Sequence, residues 1–379
     1  MEFGVDPLEK FNDENENEGE EEDSEEIIEQ GDLDEILGLG NNDDQLQYVL
    51  PPHKKCSSHK LHNVSKHGTK NAMKDTQFGK IAHVLFGKIR GIWNAQSRST
   101  KKADVIREKC GSLFVEQGET RWNSWYDGLN DFIKKLLQSE DRLGSVCRSL
   151  EFRPFTDIEI EFVKEYLLVM RPIALALDNL QGDVGLGHIL PIVTEIFNEF
   201  EAMDELTYCE PLKNSLRKEL EPRFKHLFYD EIHILAALSD PKFKDYWIND
   251  EDYKSYAIGV LTKNVAKMKP KENDGEPAAK VPKTTKTFGQ FKPKVQTQQS
   301  VVELYLSNDD QEIGMLKRFP IIEKIYRKTN TILASSASVE RMFSKGKLVF
   351  AFNRGNLKDE NFEKQLLLQL NQTLVNSKE

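Results

Sequence analysis

The sequence is poor in cysteine, in long apolar runs and, near its start, in positive charge. Its four cysteines lie far apart and none forms a C-x-x-C pair, which argues against a zinc ribbon or a redox dithiol and fits a reduced intracellular compartment. No apolar stretch approaches the roughly 20 residues of a membrane helix, and the N-terminus lacks the features of a signal peptide. We therefore expect a soluble, non-secreted protein with no membrane partner.

Charge is distributed unevenly along the 379 residues. Residues 1–50 hold 19 Asp and Glu against the single Lys10, a local net charge of −18 within a total of −11. The rest of the chain therefore carries a net charge of +7. This body is mildly basic, but no contiguous basic stripe with interleaved aromatic residues stands out. The sequence thus predicts at most weak, salt-sensitive DNA binding.

Composition and periodicity divide the chain into five parts. Residues 1–49 are too charged to offset the entropy of ordering, which predicts a disordered acidic segment; a nucleic-acid mimic that covers a basic groove is the alternative. Residues 269–299 combine four prolines with seven lysines, which is typical of a surface linker. Helical periodicity marks the other three parts, 50–118, 119–268 and 300–376.

Helical patterns dominate the middle of the chain. The stretch from Asp157 to Gly182 offers Asp157 as an N-cap, an apolar stripe, a kink at Pro172 and Gly182 as a stop. Further helices are predicted at 190–206, 211–226, 229–238 and 252–268. The short apolar run "SLFV" at 112–115 is the best strand candidate.

The last predicted helix, 359–375, has an unusually wide apolar surface. One face carries Phe362, Leu366, Leu370 and Leu374. Leu367 and Leu368 extend this surface well beyond the stripe of about 100° that one packing partner covers. The helix therefore needs cover on more than one side, from the same chain or from a second subunit.

Three separated stretches resemble one family. They are "LPPHKKCSSHKLHNV" at 50–64, "GETRWNSWYDGL" at 118–129 and a long block at 320–371 that contains "SSASVERMFS". Together, and in this order, they are similar to the hAT superfamily of cut-and-paste DNA transposases. The resemblance implies a mainly α protein: an incomplete ribonuclease-H-like α/β core at 50–118, interrupted by an all-α insertion domain at 119–268, with a C-terminal helical dimerisation region at 300–376.

The resemblance places Glu340 at the third of three catalytic acids. In an intact relative, Asp, Asp and Glu would hold two Mg²⁺ or Mn²⁺ ions about 4 Å apart, which one carboxylate cannot do alone. Ser335 and Ser336 are expected to cap the helix that carries Glu340, and Val339 and Phe343 to face its core. The alternative is that Glu340 only interacts favourably with the positive end of the helix dipole.

The two partner acids have no counterpart in the pattern before Cys56. The family places them upstream of its C-x-x-H segment, whereas the 55 residues before Cys56 are mostly acidic segment, and Asp6 has neither an apolar strand before it nor an Asn-rich turn after it. We therefore expect Glu340 to be a vestigial acid, with no metal site, no cofactor and no strand transfer.

Arg121 and Trp122 are candidate nucleic-acid-binding residues, because the resemblance assigns this pair to DNA near the cleavage point. Trp can stack on an extruded base and Arg can grip phosphate. The alternative is structural, with Trp122 and Trp125 anchoring the following helix and Thr120 capping it. With two catalytic acids missing, the structural interpretation is favoured.

Cys56 and His59 allow a zinc or a structural interpretation. With His53 and His62 nearby they could ligate zinc, yet a closed site needs four ligands and a clear second pair is absent. We favour a buried Cys and His that orient a helix against the ribonuclease-H-like sheet.

These observations favour a transposase-derived protein that acts through dimerisation, with itself or with related hAT proteins, in the nucleus or otherwise the cytoplasm. No small-molecule substrate is expected. The alternatives are an active transposase whose two Asp lie outside this sequence, and a host-recruited chromatin or transcription cofactor. The predicted dimer contacts are Phe343, Phe362, Leu366, Leu367 and Leu370.

Overall fold

The computed structural model describes residues 56–115, 123–137, 142–268, 300–349 and 358–371. Predictions for the acidic segment 1–49 and the linker 269–299 lie outside these ranges. The α-helices of the described residues are α1 (Ser57–Ala72), α2 (Thr76–Arg98), α3 (Thr100–Cys110), α4 (Ser124–Leu136), α5 (Arg142–Leu150), α6 (Asp157–Leu180), α7 (Ile189–Ala202), α8 (Glu210–Phe224), α9 (Glu231–Ser239), α10 (Glu251–Met268), α11 (Val301–Leu306), α12 (Pro320–Asn330), α13 (Ala337–Val349) and α14 (Asp359–Leu370). Short 3-10 helices span Leu186–His188, Lys225–Tyr229 and Ile313–Arg318.

The protein is mainly helical, as predicted, but its described residues contain no β-strand. The only strand-like pairing among them is an isolated bridge between Gly185 and Leu333. The ribonuclease-H-like α/β core predicted for 50–118 is therefore not supported, since α1, α2 and α3 fill this range instead.

The predicted strand at 112–115 is wrong because a side chain takes the place of a neighbouring strand. These residues are irregular, and the side chain of Gln96 satisfies the backbone of buried Phe114. The N–H of Phe114 donates to Gln96 Oε1 at 2.8 Å, and Gln96 Nε2 donates to the carbonyl of Phe114 at 3.1 Å. Because one side-chain amide replaces both ladder hydrogen bonds, the segment needs no neighbouring strand.

Helix α6 is the centre of one half of the fold. It contacts α1, α2, α4, α7 and α8. Its Phe162 and Tyr166 meet rings of α2, with Phe162 5.0 Å from Phe78 and Tyr166 5.1 Å from Phe86 between centroids. Such aromatic contacts add to the hydrophobic stabilisation of a buried core.

Helix α6 begins at a different cap from the one predicted. Thr156 is its N-cap and forms a capping box with Glu159, so Asp157 is the first helical residue and not the cap. The helix continues through Pro172, which is buried, to Leu180, two residues before Gly182. Glu159 also binds Lys88 of α2 at 2.7 Å, which joins the start of α6 to α2.

Helix α9 is the centre of the other half. Every residue from His233 to Ser239 is buried, because α7, α10, α12 and two 3-10 helices surround it. A helix that is apolar on all sides is typically buried in this way. One continuous core runs from Leu61 to Ala334, so the segment after the linker packs into the same core as the helices before it. The helices predicted from 190 to 268 are confirmed within a few residues at each end.

Candidate functional site

The last two described helices, α13 and α14, pack against each other and form what we call the C-terminal hairpin. Gly346 of α13 lies at their contact, where a Cβ would come within 3.4 Å of Phe362 Cζ and 4.0 Å of Leu366 Cδ2. These are ordinary van der Waals distances, so the side chains of Phe362 and Leu366 pack against α13 at Gly346.

The C-terminal hairpin exposes large apolar side chains. Val339 and Phe343, one turn apart on α13, are 47% and 63% exposed. Leu367 and Leu368 on α14 are 51% and 61% exposed. None of the residues of α14 is buried. Exposed apolar residues grouped in this way mark an interaction surface more often than isolated ones do.

The expectation that Val339 and Phe343 face the core of the chain is therefore wrong. Among the residues that the structure describes, none covers this face of α13. Among the predicted dimer contacts, Phe343 and Leu367 are exposed, whereas Phe362, Leu366 and Leu370 are half-buried. Val339 and Leu368 join the exposed group; the run of three leucines at 366–368 was the sequence signal for Leu368.

Backbone pairing holds the segment before the hairpin on the helical body. The N–H of Ala334 donates to the carbonyl of Val184 at 3.0 Å, and the N–H of Leu186 donates to the carbonyl of Ile332 at 2.9 Å. These contacts join positions about 150 residues apart in the sequence. No local sequence pattern indicated them.

Asn330, the last residue of α12, fixes the same segment with its side chain. Its Oδ1 accepts from the N–H of Gly187 at 2.9 Å, and its Nδ2 donates to the carbonyl of Ala236 at 3.0 Å. Asn330 and Ala236 approach Gly187 so closely that a Cβ there would lie 2.6 Å from both Asn330 Oδ1 and the Ala236 oxygen. Asn330 thus links α12, α9 and the 3-10 helix at 186–188.

Polar contacts connect the start of α13 with the end of α6. Arg341 forms an ion pair with Asp183 at 2.7 Å and donates to the carbonyl of Gln181 at 2.8 Å, and the hydroxyl of Ser338 donates to Asp183. The hydroxyl of Ser338, followed by the charge of Arg341, holds the pKa of Asp183 below its usual 3.8. Because these groups are exposed, the contacts orient α13 more than they stabilise the fold.

Cys56 joins the beginnings of α1 and α13. It is the N-cap of α1, where its Sγ accepts from the N–H of His59 at 3.5 Å, and it also accepts from the N–H of Ser336 at 3.3 Å. The sequence predicts that Cys56 orients a helix against a sheet. In the structure Cys56 instead contacts the segment at the start of α13. The predicted burial of His59 is wrong, since this residue is exposed.

The thiol of Cys56 differs from the other three thiols of the chain. Burial raises its pKa, but hydrogen bonds from Ser336, His59 and Ser335 outweigh this effect and leave the pKa below the ordinary 9.0. Cys110, Cys147 and Cys209 are buried, and desolvation raises the pKa of each. Thiolate fraction and access both control alkylation.

We therefore expect iodoacetamide to modify Cys56 first in the folded chain, with a rate that rises with pH through a value below 9.0. Peptide mass spectrometry of a labelling time course measures this. Because the pKa of Cys56 is lower in the folded than in the unfolded state, its thiolate stabilises the fold above pH 9.0. Measured against Cys56→Ser, this stabilisation should be lost as the pH falls through the folded-state pKa. Equally fast labelling of a second cysteine would contradict the prediction.

Glu340 lies exposed in the first turn of α13. Its carboxylate accepts from the hydroxyl of Ser336 at 2.6 Å, and its N–H donates to the carbonyl of Ser336 at 2.9 Å. The hydroxyl of Ser335 accepts from the N–H of Ala337, the first residue of α13, at 3.1 Å. Within the described ranges, no three His, Cys, Asp or Glu side chains converge as metal ligands would.

Arg121 and Trp122, the predicted nucleic-acid-binding pair, and Thr120 lie outside the described residues. Trp125, three positions later, does anchor α4 as the structural interpretation predicted. Its ring lies 5.1 Å from Phe86 and 5.4 Å from Trp93, and Arg90 lies over it at 4.9 Å. In the part of the chain that the structure describes, no helix combines the length and apolar character of a membrane span.

A family model matches the C-terminal part of the chain. The match covers residues 312–371 and is to the hAT family C-terminal dimerisation region. It begins before α12, includes Asn330 and the segment paired with 184–186, and ends with the C-terminal hairpin. No curated protein matches the chain. Residues 312–371 therefore match a hAT-family C-terminal dimerisation region, and this match supports the resemblance to a hAT-family, transposase-derived protein.

Proposed function

We propose that this chain acts by association through its C-terminal hairpin, with a second copy of itself or with a related hAT protein. The observation that carries the proposal is the exposure of Val339, Phe343, Leu367 and Leu368 within the region that matches the dimerisation family model. The first part of that region is built into the core, and its last part leaves apolar side chains uncovered. A second subunit would supply the missing cover.

The size of the hydrophobic effect indicates how strong such association is. Fully burying an aliphatic or aromatic side chain contributes about 1.5–3 kcal/mol, and about half of that remains available for residues that are half exposed. Four such residues on each side of a twofold interface would contribute roughly 6–12 kcal/mol. Association itself costs about 4–15 kcal/mol. We therefore expect a concentration-dependent dimer, whose interface extends beyond these four residues if it is tight.

The proposal assigns the chain no strand cleavage and no metal cofactor. The position of Glu340 supports this. Its carboxylate accepts a hydrogen bond from Ser336 and so takes part in the polar contacts at the start of α13. Weak nucleic-acid binding and a nuclear location remain part of the proposal, because the transposases that the sequence resembles act on DNA. Dimerisation does not depend on either.

Sedimentation velocity of the full chain over a wide concentration range tests the proposal. We expect the weight-average sedimentation coefficient to rise from that of a monomer to that of a dimer. Glu340→Gln serves as a control, since it removes a charge on the same helix without removing apolar surface, and should associate like the unchanged chain. A monomer at every concentration, with no complex with a hAT relative, would overturn the proposal.

A further inference from the structure

The first described part of the chain, residues 56–115, is strongly basic. It contains twelve Lys and Arg against three Asp and Glu, a net charge of +9. The whole basic excess of the body therefore comes from α1, α2, α3 and the residues just after them. Several of these cations are neutralised locally, such as Lys88 by Glu159 and Arg107 by Asp104.

One cluster within this part is not neutralised. Lys66 and Lys70 are exposed on the second half of α1, exposed Lys74 follows four residues later just after the helix, and exposed Lys80 lies in the second turn of α2. Only the three residues Met73 to Asp75 separate the two helices, so all four lysines lie within 15 residues of sequence on either side of one helix junction. We call these four residues the basic junction.

The acidic residues at the basic junction, Asp75 and Glu219, are already engaged. Asp75 is the N-cap of α2 and accepts from the N–H groups of Gln77 and Phe78 at 3.0 and 2.9 Å. Lys74 donates to Asn71 Oδ1, an uncharged group. Within the described residues, Lys66, Lys70 and Lys80 form no salt bridge. Glu219 of α8 also lies beside the junction, where its Oε1 accepts from Asn71 Nδ2 at 3.0 Å, but its carboxylate is paired with Arg223. The four lysines are therefore left without a salt bridge among the described residues.

The same chain encodes a matching polyanion. Residues 14–35 contain 13 Asp and Glu and no Lys or Arg. From Glu35 to Cys56, at the start of α1, there are 21 residues, which reach at most about 70 Å when extended. Helix α1 has 16 residues and is about 24 Å long, so the junction at its far end lies well within this reach.

We propose that residues 14–35 bind the basic junction of their own chain. Salt screens the attraction between opposite charges, so the contact should be strongest at low ionic strength. Covalent attachment gives the segment an effective concentration on the order of millimolar. The segment then competes with any external polyanion for the same lysines. The inference does not depend on dimerisation, because the C-terminal hairpin takes no part in it.

Zero-length carboxyl-to-amine cross-linking of the full chain, read by peptide mass spectrometry, tests the contact. We expect acidic residues of 14–35 to cross-link to the four lysines of the basic junction and the yield to fall several-fold at high salt. In Lys66→Glu/Lys70→Glu, cross-links to the retained Lys74 and Lys80 should also fall. Loss at these two unchanged lysines reports weaker binding of the segment, since their amines are still present.

The matched control is Lys324→Glu/Lys328→Glu on α12, a pair of exposed lysines with the same spacing. It should leave the cross-links to Lys74 and Lys80 unchanged. Mixing ¹⁵N-labelled with unlabelled chains separates contacts within a chain from contacts between chains. Mixed-isotope cross-links, or yields at Lys324 and Lys328 equal to those at the basic junction, would overturn the proposal.

A second measurement concerns competition. Replacing the acidic residues of 14–35 by Gln or Asn in the full chain should raise its affinity for heparin, used as a simple polyanion probe, by roughly tenfold at low salt. The gain should disappear when Lys66→Glu/Lys70→Glu is added. An unchanged heparin affinity after neutralisation of the segment would contradict the proposal.

Discussion

Phe343→Asp and Leu367→Asp are each expected to shift the chain from dimer to monomer without unfolding it. Both side chains are more than half exposed in the single chain, at 63% and 51%, so little intrachain packing is lost. In the dimer, each substitution removes buried apolar surface and places a carboxylate in it. Because a twofold interface uses the residue twice, we expect a loss of about 2–4 kcal/mol, roughly 30- to 1000-fold in dissociation constant.

The matched control for this prediction is Leu168→Asp on α6, where a leucine of similar exposure, 46%, lies away from the C-terminal hairpin. Sedimentation equilibrium compares the dissociation constants, and thermal melting of each variant checks that the fold is retained. If Leu168→Asp weakened association as much as Leu367→Asp, the added negative charge and not the loss of hairpin surface would explain the weaker association. Unchanged association in both hairpin variants would remove this surface from the interface.

Asn330→Ala is expected to destabilise the protein by about 2–4 kcal/mol. The substitution leaves the N–H of Gly187 and the carbonyl of Ala236 without their side-chain partner, at a position where α9 and the 186–188 turn pack closely. The cost of a buried group left unpaired exceeds the value of a typical hydrogen bond. Urea denaturation followed by circular dichroism measures the free energy of unfolding.

Two further variants sharpen this result. Asn214→Ala removes a hydrogen bond to Glu210 on the exposed face of α8 and should change the free energy of unfolding by less than about 0.5 kcal/mol. Gly187→Ala should destabilise by overpacking, about 1–3 kcal/mol, because its Cβ would meet the Ala236 oxygen at 2.6 Å. A loss at Asn330 no larger than at Asn214 would show that the two hydrogen bonds do not hold this segment.

The helices were predictable because their information is local. Periodic apolar residues, caps and stops define α6 to α10, and the misplaced cap of α6 differed by one position because Thr156 and Asp157 are both good caps. The strand at 112–115 failed for a nonlocal reason. A short apolar run does not say whether its backbone groups will pair with a strand or, as at Phe114, with the side chain of Gln96.

The candidate site was likewise predictable only in the features that depend on local sequence. The wide apolar surface at 366–368 is visible in the sequence, and so is the resemblance of the block around Glu340. Which of those side chains are covered is not visible, because cover depends on what packs against them. Phe362 and Leu366 pack against α13 at Gly346, while Phe343 and Leu367 remain exposed.

The sequence by itself determined the helical class, the concentration of negative charge near the N-terminus and the family to which the C-terminal region belongs, since each follows from residue type and spacing. The tertiary structure decided how that region is held. Asn330, Cys56 and Arg341 bind partners about 100 to 280 residues away, and contacts over such distances arise only when the helices pack. It also decided which apolar residues stay exposed, because burial is a property of the packed surface and not of a residue.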